Sequence, residues 1–311
     1  MKEIFSLVAF VALIVAMSVF LSHHSQAEEI PIPTYSSWPP GTKAGSRGMV
    51  RNISPHKHAF ARVGAPHPVR YGEMSERYEL RQGDCGGSDC KNPRKRSEIR
   101  EDGSNIKARL NRDTWIGWSF FNQSMPNTSL HPVIGQWKVN SEQAVIKFFQ
   151  EDAMNGYSKC TSKYCNTRKF PPSKNDIFVQ LDDLRVARNL GAESNWGNIC
   201  HLFNLASSRG KWVDVVIRTN FGTDENGYLQ IWVNGTPRCD YRGQIVASRS
   251  KFAGPSHRRG IYWSYTVDWD NATPSKAKPT MVAYYDEYRV GTSREQVDIR
   301  IIEATGGPAV D

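Results

Sequence analysis

Short runs of alternating apolar and polar residues, separated by turn-forming residues, follow one another from about residue 50 to residue 300. Alternation with a period of two places successive side chains on opposite faces of a β-strand, whereas an amphipathic helix needs a period of 3.6. Helical periodicity is scarce here, so the pattern predicts an all-β fold of two stacked antiparallel sheets, a jelly roll. The clearest runs are 77–81, 114–121, 133–139, 145–150, 177–181, 199–205, 212–219, 228–233, 260–267 and 281–290.

The N-terminal 21 residues are almost entirely apolar and are followed by Ser25-Gln26-Ala27, a small-x-small site of the kind that signal peptidase cuts. We therefore predict a signal peptide over residues 1–27 and a secreted or periplasmic protein, with an uncleaved membrane anchor as the alternative. Residues 28–50 are rich in Pro, Gly and Ser and predict a poorly ordered leader. Residues 51–305 then form one jelly-roll domain.

The six cysteines favour disulfides, because the count is even and the chain carries an export signal. Two couples have C-x4-C spacing, and local pairing of each leaves a third, although six cysteines allow fifteen connectivities. A zinc site is the weaker alternative, since no spacing is C-x2-C and no paired histidines accompany the cysteines. The preferred pairs are Cys85–Cys90, Cys160–Cys165 and Cys200–Cys239.

The formal net charge of +9 suggests an acidic partner. Nucleic acid, anionic lipid and acidic glycan would all satisfy it, and export favours the glycan. We therefore expect an acidic polysaccharide as partner, no nucleic-acid binding, no membrane insertion after signal cleavage, and a monomer.

Two segments between residues 77 and 100 place charged residues on one face of a strand. If both strands lie in one sheet, they form a basic surface whose guanidinium forks suit uronate carboxylates. A ladder of cross-strand Arg–Glu pairs on a solvated face is the alternative. Arg96 is the favoured ligand, because two glutamates cannot neutralise every arginine. The residues are Arg77, Glu79, Arg81, Arg94, Arg96, Glu98 and Arg100, of which Arg81 and Arg94 are further candidates for substrate binding.

Two more segments carry candidate chemistry. Alternation over 133–139 places Ile134, Gln136 and Lys138 on one side of a strand, where an amide and an ammonium group could bind a carboxylate. Tyr262 follows Arg258 and Arg259, whose positive charges would lower its phenol pKa and make it a candidate proton shuttle, with Arg259 as a substrate ligand. Ordinary solvent-facing or packed residues remain the alternative for both segments.

Asp286 and Glu287 are adjacent acidic residues that could contribute oxygen ligands to a structural calcium ion. Two carboxylates fall short of the six to eight oxygens that calcium takes. We expect that the protein requires no cofactor.

Several of these segments resemble jelly-roll polysaccharide lyases of the group that includes glucuronan lyase and heparin lyase I, which are concanavalin A-like two-sheet sandwiches. The resemblance spans roughly residues 70–292, and the order and spacing of its motifs carry more weight than any single motif. The matching motifs are Arg77-Tyr78-Glu79-Leu80-Arg81, Gly83-Asp84-Cys85, Arg96-Ser97-Glu98-Ile99, Gly135-Gln136-Trp137-Lys138, the Trp-Val-Asn-Gly within 228–235, Gly260-Ile261-Tyr262, and Tyr285-Asp286-Glu287-Tyr288-Arg289-Val290-Gly291.

The resemblance implies β-elimination at a uronic acid, with Tyr262 transferring protons, Gln136 contacting a carboxyl or hydroxyl group, and Arg96 binding substrate. Lys138 stands where relatives with a two-residue acid/base pair carry His. It could be a base only with a lowered pKa. The sequence favours a version in which Lys138 neutralises the carboxylate and Tyr262 alone moves protons.

Two other functional classes remain. A lectin on the same sandwich would bind glycan without cleaving it, and Lys138 would then mark the loss of activity. A glycoside hydrolase needs two carboxylates that flank the scissile bond, and the Glu-x-Asp-x-x-Glu strand typical of sandwich hydrolases is missing from the chain. The lyase interpretation is the one that the motifs favour.

Overall fold

The computed structural model describes residues 49–52, 56–85, 87–92, 94–102, 108–127, 132–139, 142–152, 174–188, 198–247, 254–263 and 277–311. The predicted signal peptide, and all of the predicted leader except its last two residues, lie outside these residues. The described strands are β1 Met49–Asn52, β2 Phe60–Val63, β3 Ser75–Leu80, β4 Lys95–Asp102, β5 Thr114–Asn122, β6 Pro132–Lys138, β7 Ala144–Asp152, β8 Lys174–Gln180, β9 Asn198–Asn204, β10 Trp212–Thr219, β11 Tyr228–Val233, β12 Thr236–Arg242, β13 Ser256–Trp263 and β14 Met281–Gly291.

The strands form two antiparallel sheets of seven strands each, so the predicted jelly roll is confirmed. Sheet A has the order β1-β4-β13-β6-β7-β8-β9, and sheet B has the order β12-β11-β10-β5-β14-β3-β2. Helix α1 spans Asp182–Ala187 and helix α2 spans Ile299–Ala304, and two 3-10 turns span Lys57–Ala59 and Gly87–Lys91. Among the described residues, no helix is long and apolar enough to cross a membrane.

The core lies between the two sheets. Sheet A contributes Ile99, Trp137 and Ile261, and sheet B contributes Phe120 and Tyr285 to the same buried cluster. Burial of such side chains is the main favourable term in folding, at about 25 cal/mol per Å² of apolar surface. The face of each sheet turned away from this core is called its outer face below.

The absence of a side chain at Gly260 lets β13 lie close both to β4 of its own sheet and to Tyr78 of sheet B. Its φ is +126°, and a Cβ at this position would lie 2.2 Å from the Ser97 carbonyl oxygen and 2.7 Å from the Tyr78 ring. The Tyr285 hydroxyl lies 3.0 Å from the Gly260 carbonyl oxygen and also contacts the Ile134 carbonyl oxygen. This single side chain of sheet B therefore fixes β13 and β6 beside each other.

The condition for a basic surface shared by the two charged strands is not met, and one prediction about strand faces is wrong. The two charged strands do not share a sheet, because β3 pairs with β14 and β2 in sheet B, whereas β4 pairs with β13 and β1 in sheet A. Ile134 does not share a face with Gln136 and Lys138; it packs in the core with Trp137. The register of β6 shifts between Val133 and Gly135, which breaks the simple alternation there.

Two of the three predicted disulfides are confirmed. Cys85–Cys90 closes a short loop, and Cys200–Cys239 joins β9 of sheet A to β12 of sheet B. Cys160 and Cys165 lie outside the described residues.

Candidate active site

Three neighbouring strands of sheet A bring the candidate residues to its outer face. Tyr262 of β13 lies opposite Arg96 of β4 on one side and Val133 of β6 on the other. Gln136 and Lys138 follow on β6, and their neighbour Trp137 points into the core. The strand register therefore places Arg96, Tyr262, Gln136 and Lys138 on one continuous surface, which is the candidate active site.

Arg96 is held by two carboxylates. Its Nε and Nη2 donate to the two oxygens of Asp89, with Nη2 at 3.0 Å from Oδ1, and its Nη1 donates to Glu98 Oε2 at 3.0 Å. Only 11% of the Arg96 side chain is exposed. The sequence argument that two glutamates cannot neutralise every arginine did not take Asp89 into account, which lies in the disulfide-closed loop rather than in a strand. The assignment of Arg96 as a substrate ligand stays a prediction.

Gln136 completes a chain of polar contacts. Its Nε2 donates to Glu98 Oε1 at 2.7 Å, and both residues are buried. Glu98 therefore accepts hydrogen bonds from Arg96 on one oxygen and from Gln136 on the other. Since both donors are fixed through one buried carboxylate, the amide of Gln136 and the guanidinium of Arg96 are held in a fixed relation to each other.

Tyr262 lies beneath the Arg96 guanidinium, with Cζ 4.4 Å from the centre of the ring. Burial raises the pKa of the Tyr262 phenol above its ordinary value, and Arg96 and Arg94 lower it only in part. The prediction that Arg258 and Arg259 would lower this pKa is therefore wrong, because the loss of solvation outweighs the nearby positive charges. The phenol keeps its proton more firmly than a solvated tyrosine does.

Lys138 shows the opposite shift. Burial lowers the pKa of its ammonium group, and the neighbouring Arg258 lowers it further, while Asp182 and Glu98 act against both. Lys138 can act as a base only if its pKa is lowered, and the shift has this direction. Arg96 and Glu98 shift the pKa of Lys138 and of Tyr262 alike, which places both residues around this one ion pair.

Arg259 is not on the outer face. It is 2% exposed, and its Nε and Nη2 donate to Glu76 of β3 at 2.5 Å each, with Cζ 4.9 Å from the ring of Tyr288. This ion pair joins the two sheets, so the prediction of Arg259 as a substrate ligand is wrong. Its neighbour Arg258 lies opposite Gln136 and Arg100 instead. Counting the alternation backwards from Tyr262 would have identified Arg258.

Arg81 also lies away from the site. It continues from β3 of sheet B, and its Nε donates to Glu79, which also accepts from Arg77. The predicted Arg–Glu pairs therefore form on this strand, within one strand rather than across two. Arg94 is exposed and close enough to Tyr262 to lower its pKa, so its assignment as a substrate ligand stays a prediction.

The outer face of sheet A extends beyond these residues. Lys147 of β7 lies opposite Gln136, and its Nζ is 3.5 Å from Asp182 Oδ2 of helix α1. Arg185 of the same helix donates to Asp182 at 2.6 Å and 2.9 Å. Positive charge therefore continues across the sheet from β4 to β7.

His257, which precedes Arg258 on β13, does not take the place of the histidine that relatives carry at the position of Lys138. His257 is buried and stacks between Trp137 and Tyr288, at 4.4 Å from each ring centre. Burial lowers its pKa well below the ordinary value. It is therefore a neutral core residue.

The predicted calcium ligands have protein partners. Asp286 Oδ2 accepts from the backbone amide of Arg70 at 2.7 Å, and Glu287 accepts from Arg289 and from the Val310 amide at 2.9 Å. No group of three or more His, Cys, Asp or Glu residues suited to a metal ion occurs in the part of the chain that the structure describes. Calcium binding stays an untested prediction.

The fold and the site together define a class of protein. It is a jelly-roll sandwich in which partly or fully buried ionisable residues lie on the face of one sheet that is turned away from the core. The family model for polysaccharide lyases matches residues 52–289. The chain therefore belongs to the polysaccharide lyase family, as the motifs predicted, and it is a lyase. No curated protein matches the chain.

Solved structures of similar fold include other lyases. An endo-β-1,4-glucuronan lyase from the fungus Trichoderma reesei is 15% identical, with a TM-score of 0.51 over 86% of this chain and 96% of that one. An alginate lyase of polysaccharide lyase family 7 is 14% identical, with a TM-score of 0.45 over 76% and 83%. An alginate lyase from Pseudomonas aeruginosa is 15% identical, with a TM-score of 0.42 over 73% and 88%. At this identity, the first of these shows a shared fold.

Proposed function

We propose that the outer face of sheet A cleaves an acidic polysaccharide by β-elimination at a uronic acid residue. The observation that supports this most directly is that Arg96, Lys138 and Tyr262 lie on the outer face of three adjacent strands, with the pKa of the amine lowered and that of the phenol raised. Environments that push two pKa values apart mark an acid and a base. Family membership supplies the reaction class.

Substrate binding would use the fixed cations of the site. The proton on C5 is acidic only when the adjacent carboxylate is neutralised. Arg96 has five N–H donors, and its described contacts with Asp89 and Glu98 use three of them, which leaves two for a uronate carboxylate. Arg258 adds positive charge beside Gln136, and exposed Arg94 is suited to a neighbouring sugar.

Proton transfer would divide between the two residues whose pKa values diverge. The sequence favoured Lys138 as the cation that neutralises the carboxylate, but its lowered pKa supports the other version, in which it is the base. The neutral amine of Lys138 takes the C5 proton, and the electron pair of that bond forms the C4–C5 double bond. The bond from C4 to the glycosidic oxygen breaks, and the Tyr262 hydroxyl protonates the leaving oxygen. Solvent then removes the proton from the Lys138 ammonium and returns one to the Tyr262 phenolate. The proposal involves no metal or cofactor.

The charge pattern supports a polyuronate as substrate. Arg96, Arg258, Lys138 and Lys147 line the surface in the order of the strands. The carboxylates that pair with Arg96 and Lys147 are Asp89, Glu98 and Asp182, and all three are buried. A chain that carries a carboxylate on successive sugars complements such a row. Glucuronan and alginate, the polysaccharides named for the similar structures, are the first two to test.

Export to an oxidising compartment is part of the same proposal. The apolar N-terminal segment ends in a signal-peptidase site, and two disulfides occur among the described residues. We expect the mature chain to begin at Glu28 and to act as a monomer. N-terminal sequencing and light scattering of the exported protein would measure both.

The test is the ultraviolet absorbance of a polyuronate panel incubated with the mature protein. Elimination creates a conjugated 4,5-unsaturated uronate that absorbs, whereas hydrolysis and binding do not. We expect absorbance to grow with the wild type and to fall by about 10²- to 10⁴-fold in rate with Tyr262→Phe, the range for loss of a general acid. Tyr228→Phe is a matched control, since its hydroxyl contacts Asp113 in sheet B.

A flat trace on every substrate, together with retained binding of polyuronate, would contradict the proposal and favour a lectin. Equal rates of product formation for Tyr262→Phe and Tyr228→Phe would be compatible with a lyase but would exclude Tyr262 as its general acid.

A further inference from the structure

Asp89 sits in an unusual place for a buried carboxylate. It belongs to the 3-10 turn Gly87–Lys91 within the loop closed by the Cys85–Cys90 disulfide, outside any strand. It is nevertheless 4% exposed, and both of its oxygens accept from Arg96. A short loop thus places one buried charge directly behind the guanidinium of the candidate site.

The two partners of Arg96 differ in what holds them. Glu98 is two residues along the same strand and is fixed by β4 and by Gln136. Asp89 receives no support from a strand, so its position depends on the loop and its disulfide. Because Asp89 accepts from Nε and Nη2 together, it fixes the plane of the guanidinium, whose Cζ lies 4.4 Å from the Tyr262 ring centre.

An equivalent Arg–Asp fork occurs far from the site. Arg218 of sheet B donates from Nε and Nη2 to the two oxygens of Asp113, at 2.9 Å and 3.1 Å. These side chains are 39% and 43% exposed, against 11% and 5% for Arg96 and Asp89. Identical chemistry in solvent contributes little, whereas an uncompensated buried charge is strongly unfavourable.

We propose that Asp89 is a positioning residue of the lyase, and that the disulfide-closed loop holds the Arg96 guanidinium over Tyr262 through it. This inference rests on the proposed function. Asp89 and Glu98 both act to raise the Tyr262 pKa and Arg96 acts to lower it, so a displaced Arg96 changes the acid as well as the carboxylate site. A loop outside the sheet thereby controls the geometry of two residues in it.

The first experiment compares Asp89→Asn with the matched control Asp113→Asn in the full mature chain. We expect Asp89→Asn to lower kcat by about 100-fold, the effect of a misplacement near 1 Å, while KM changes much less. Asp113→Asn should leave both constants unchanged. A kcat for Asp89→Asn within twofold of wild type would overturn the proposal.

A second variant separates position from charge. Cys85→Ser combined with Cys90→Ser keeps the Asp89 carboxylate but releases the loop, so a purely electrostatic role predicts wild-type kcat. The positioning role predicts a loss in the same direction as Asp89→Asn but smaller. Thermal unfolding of each variant checks the fold, and a lower Tm with unchanged kcat would show a merely structural loop.

A third measurement needs no substrate. The phenolate absorbance of Tyr262 can be titrated as the difference between each protein and its Tyr262→Phe version. We expect the titration to move to higher pH in the disulfide variant, because a displaced Arg96 lowers the Tyr262 pKa less and Arg96 has a larger effect than Asp89, with no change in Asp113→Asn. Loss of the carboxylate in Asp89→Asn would by itself move the titration to lower pH, so the disulfide variant is the one that tests positioning. A shift in the disulfide variant, even if the protein cleaves no substrate, would support the positioning role while the proposed function fails, and no shift in that variant would overturn it.

Discussion

The outer faces of the two sheets carry the same kinds of residue, yet they differ in what surrounds them. On sheet B, Arg77 and Arg81 share Glu79, and Arg218 pairs with Asp113 in solvent. On sheet A, Arg96 is nearly buried between two carboxylates and lies over a tyrosine. Charged pairs alone therefore do not mark a functional surface; the Arg96 pair differs because it lies at an outer face beside a lysine and a tyrosine whose pKa values are shifted.

The comparison is most strongly tested at Lys138, which has no counterpart among the described residues of sheet B. If its amine is the base, Lys138→Arg keeps the positive charge but removes the base, since arginine does not deprotonate in proteins. We expect a loss of about 10²- to 10⁴-fold in the rate of unsaturated product formation. Retained activity would instead show that Lys138 neutralises the carboxylate and that Tyr262 moves protons in both directions.

The pH dependence of kcat tests the same assignment of Lys138 as base and Tyr262 as acid. A base must be neutral, so kcat should rise with pH as the Lys138 ammonium loses its proton, and it should fall again as the Tyr262 phenol ionises. Lys138→His substitutes a base with an ordinary pKa near 6.5, so the rising limb should move to lower pH. A rising limb that stays in place would contradict Lys138 as the base.

The sequence predicted that Gln136 and Lys138 share one face of a strand, but it did not predict the register shift or the strand pairing around them. Alternation correctly placed Gln136 and Lys138 together, because β6 pairs regularly with β13 from Gln136 to Lys138, although its register with β7 shifts between Trp137 and Lys138. It misplaced Ile134, because the register shift at Gly135 leaves no signal in a periodic pattern. It could not show that β3 and β4 lie in different sheets, since alternation describes one strand and pairing involves two.

Asp89 and Arg259 show two other limits of the sequence. Asp89 lies in a turn, where no periodicity relates it to Arg96. Arg259 was chosen for its closeness to Tyr262 along the chain, although adjacent strand residues point to opposite faces and an odd separation of three puts it on the inner one. The fold class followed from local pattern alone, while the site depends on contacts between segments distant in sequence.

A prediction about stability compares Arg259 and Arg81, which the sequence treated alike as candidates for substrate binding. Arg259→Met removes a buried partner of Glu76 and should lower the free energy of unfolding by about 3–5 kcal/mol. Arg81→Met removes a side chain that is 47% exposed and should cost at most about 1 kcal/mol. Urea unfolding measures both values.

The rate of product formation gives a second test of the Arg81→Met and Arg259→Met comparison. Arg81→Met should retain the wild-type rate of product formation, since its charge belongs to sheet B. A fall in the rate of product formation for Arg81→Met, without a fall in the free energy of unfolding, would indicate that Arg81 does bind substrate. Similar unfolding energies for the two variants would contradict the ion pair between the sheets.

The smallest expected effect concerns divalent cations. Asp286 and Glu287 already accept hydrogen bonds from backbone amides and from Arg289, and the fixed cations of sheet A can neutralise a uronate. Dialysis against EDTA should therefore change neither the Tm nor the rate of product formation, and added calcium should change neither. A Tm that falls on chelation and recovers with calcium in the wild type, but not in Asp286→Asn, would instead assign a structural ion to sheet B. A rate that falls at constant Tm would place the cation at the outer face of sheet A, where it would share the role proposed for Arg96.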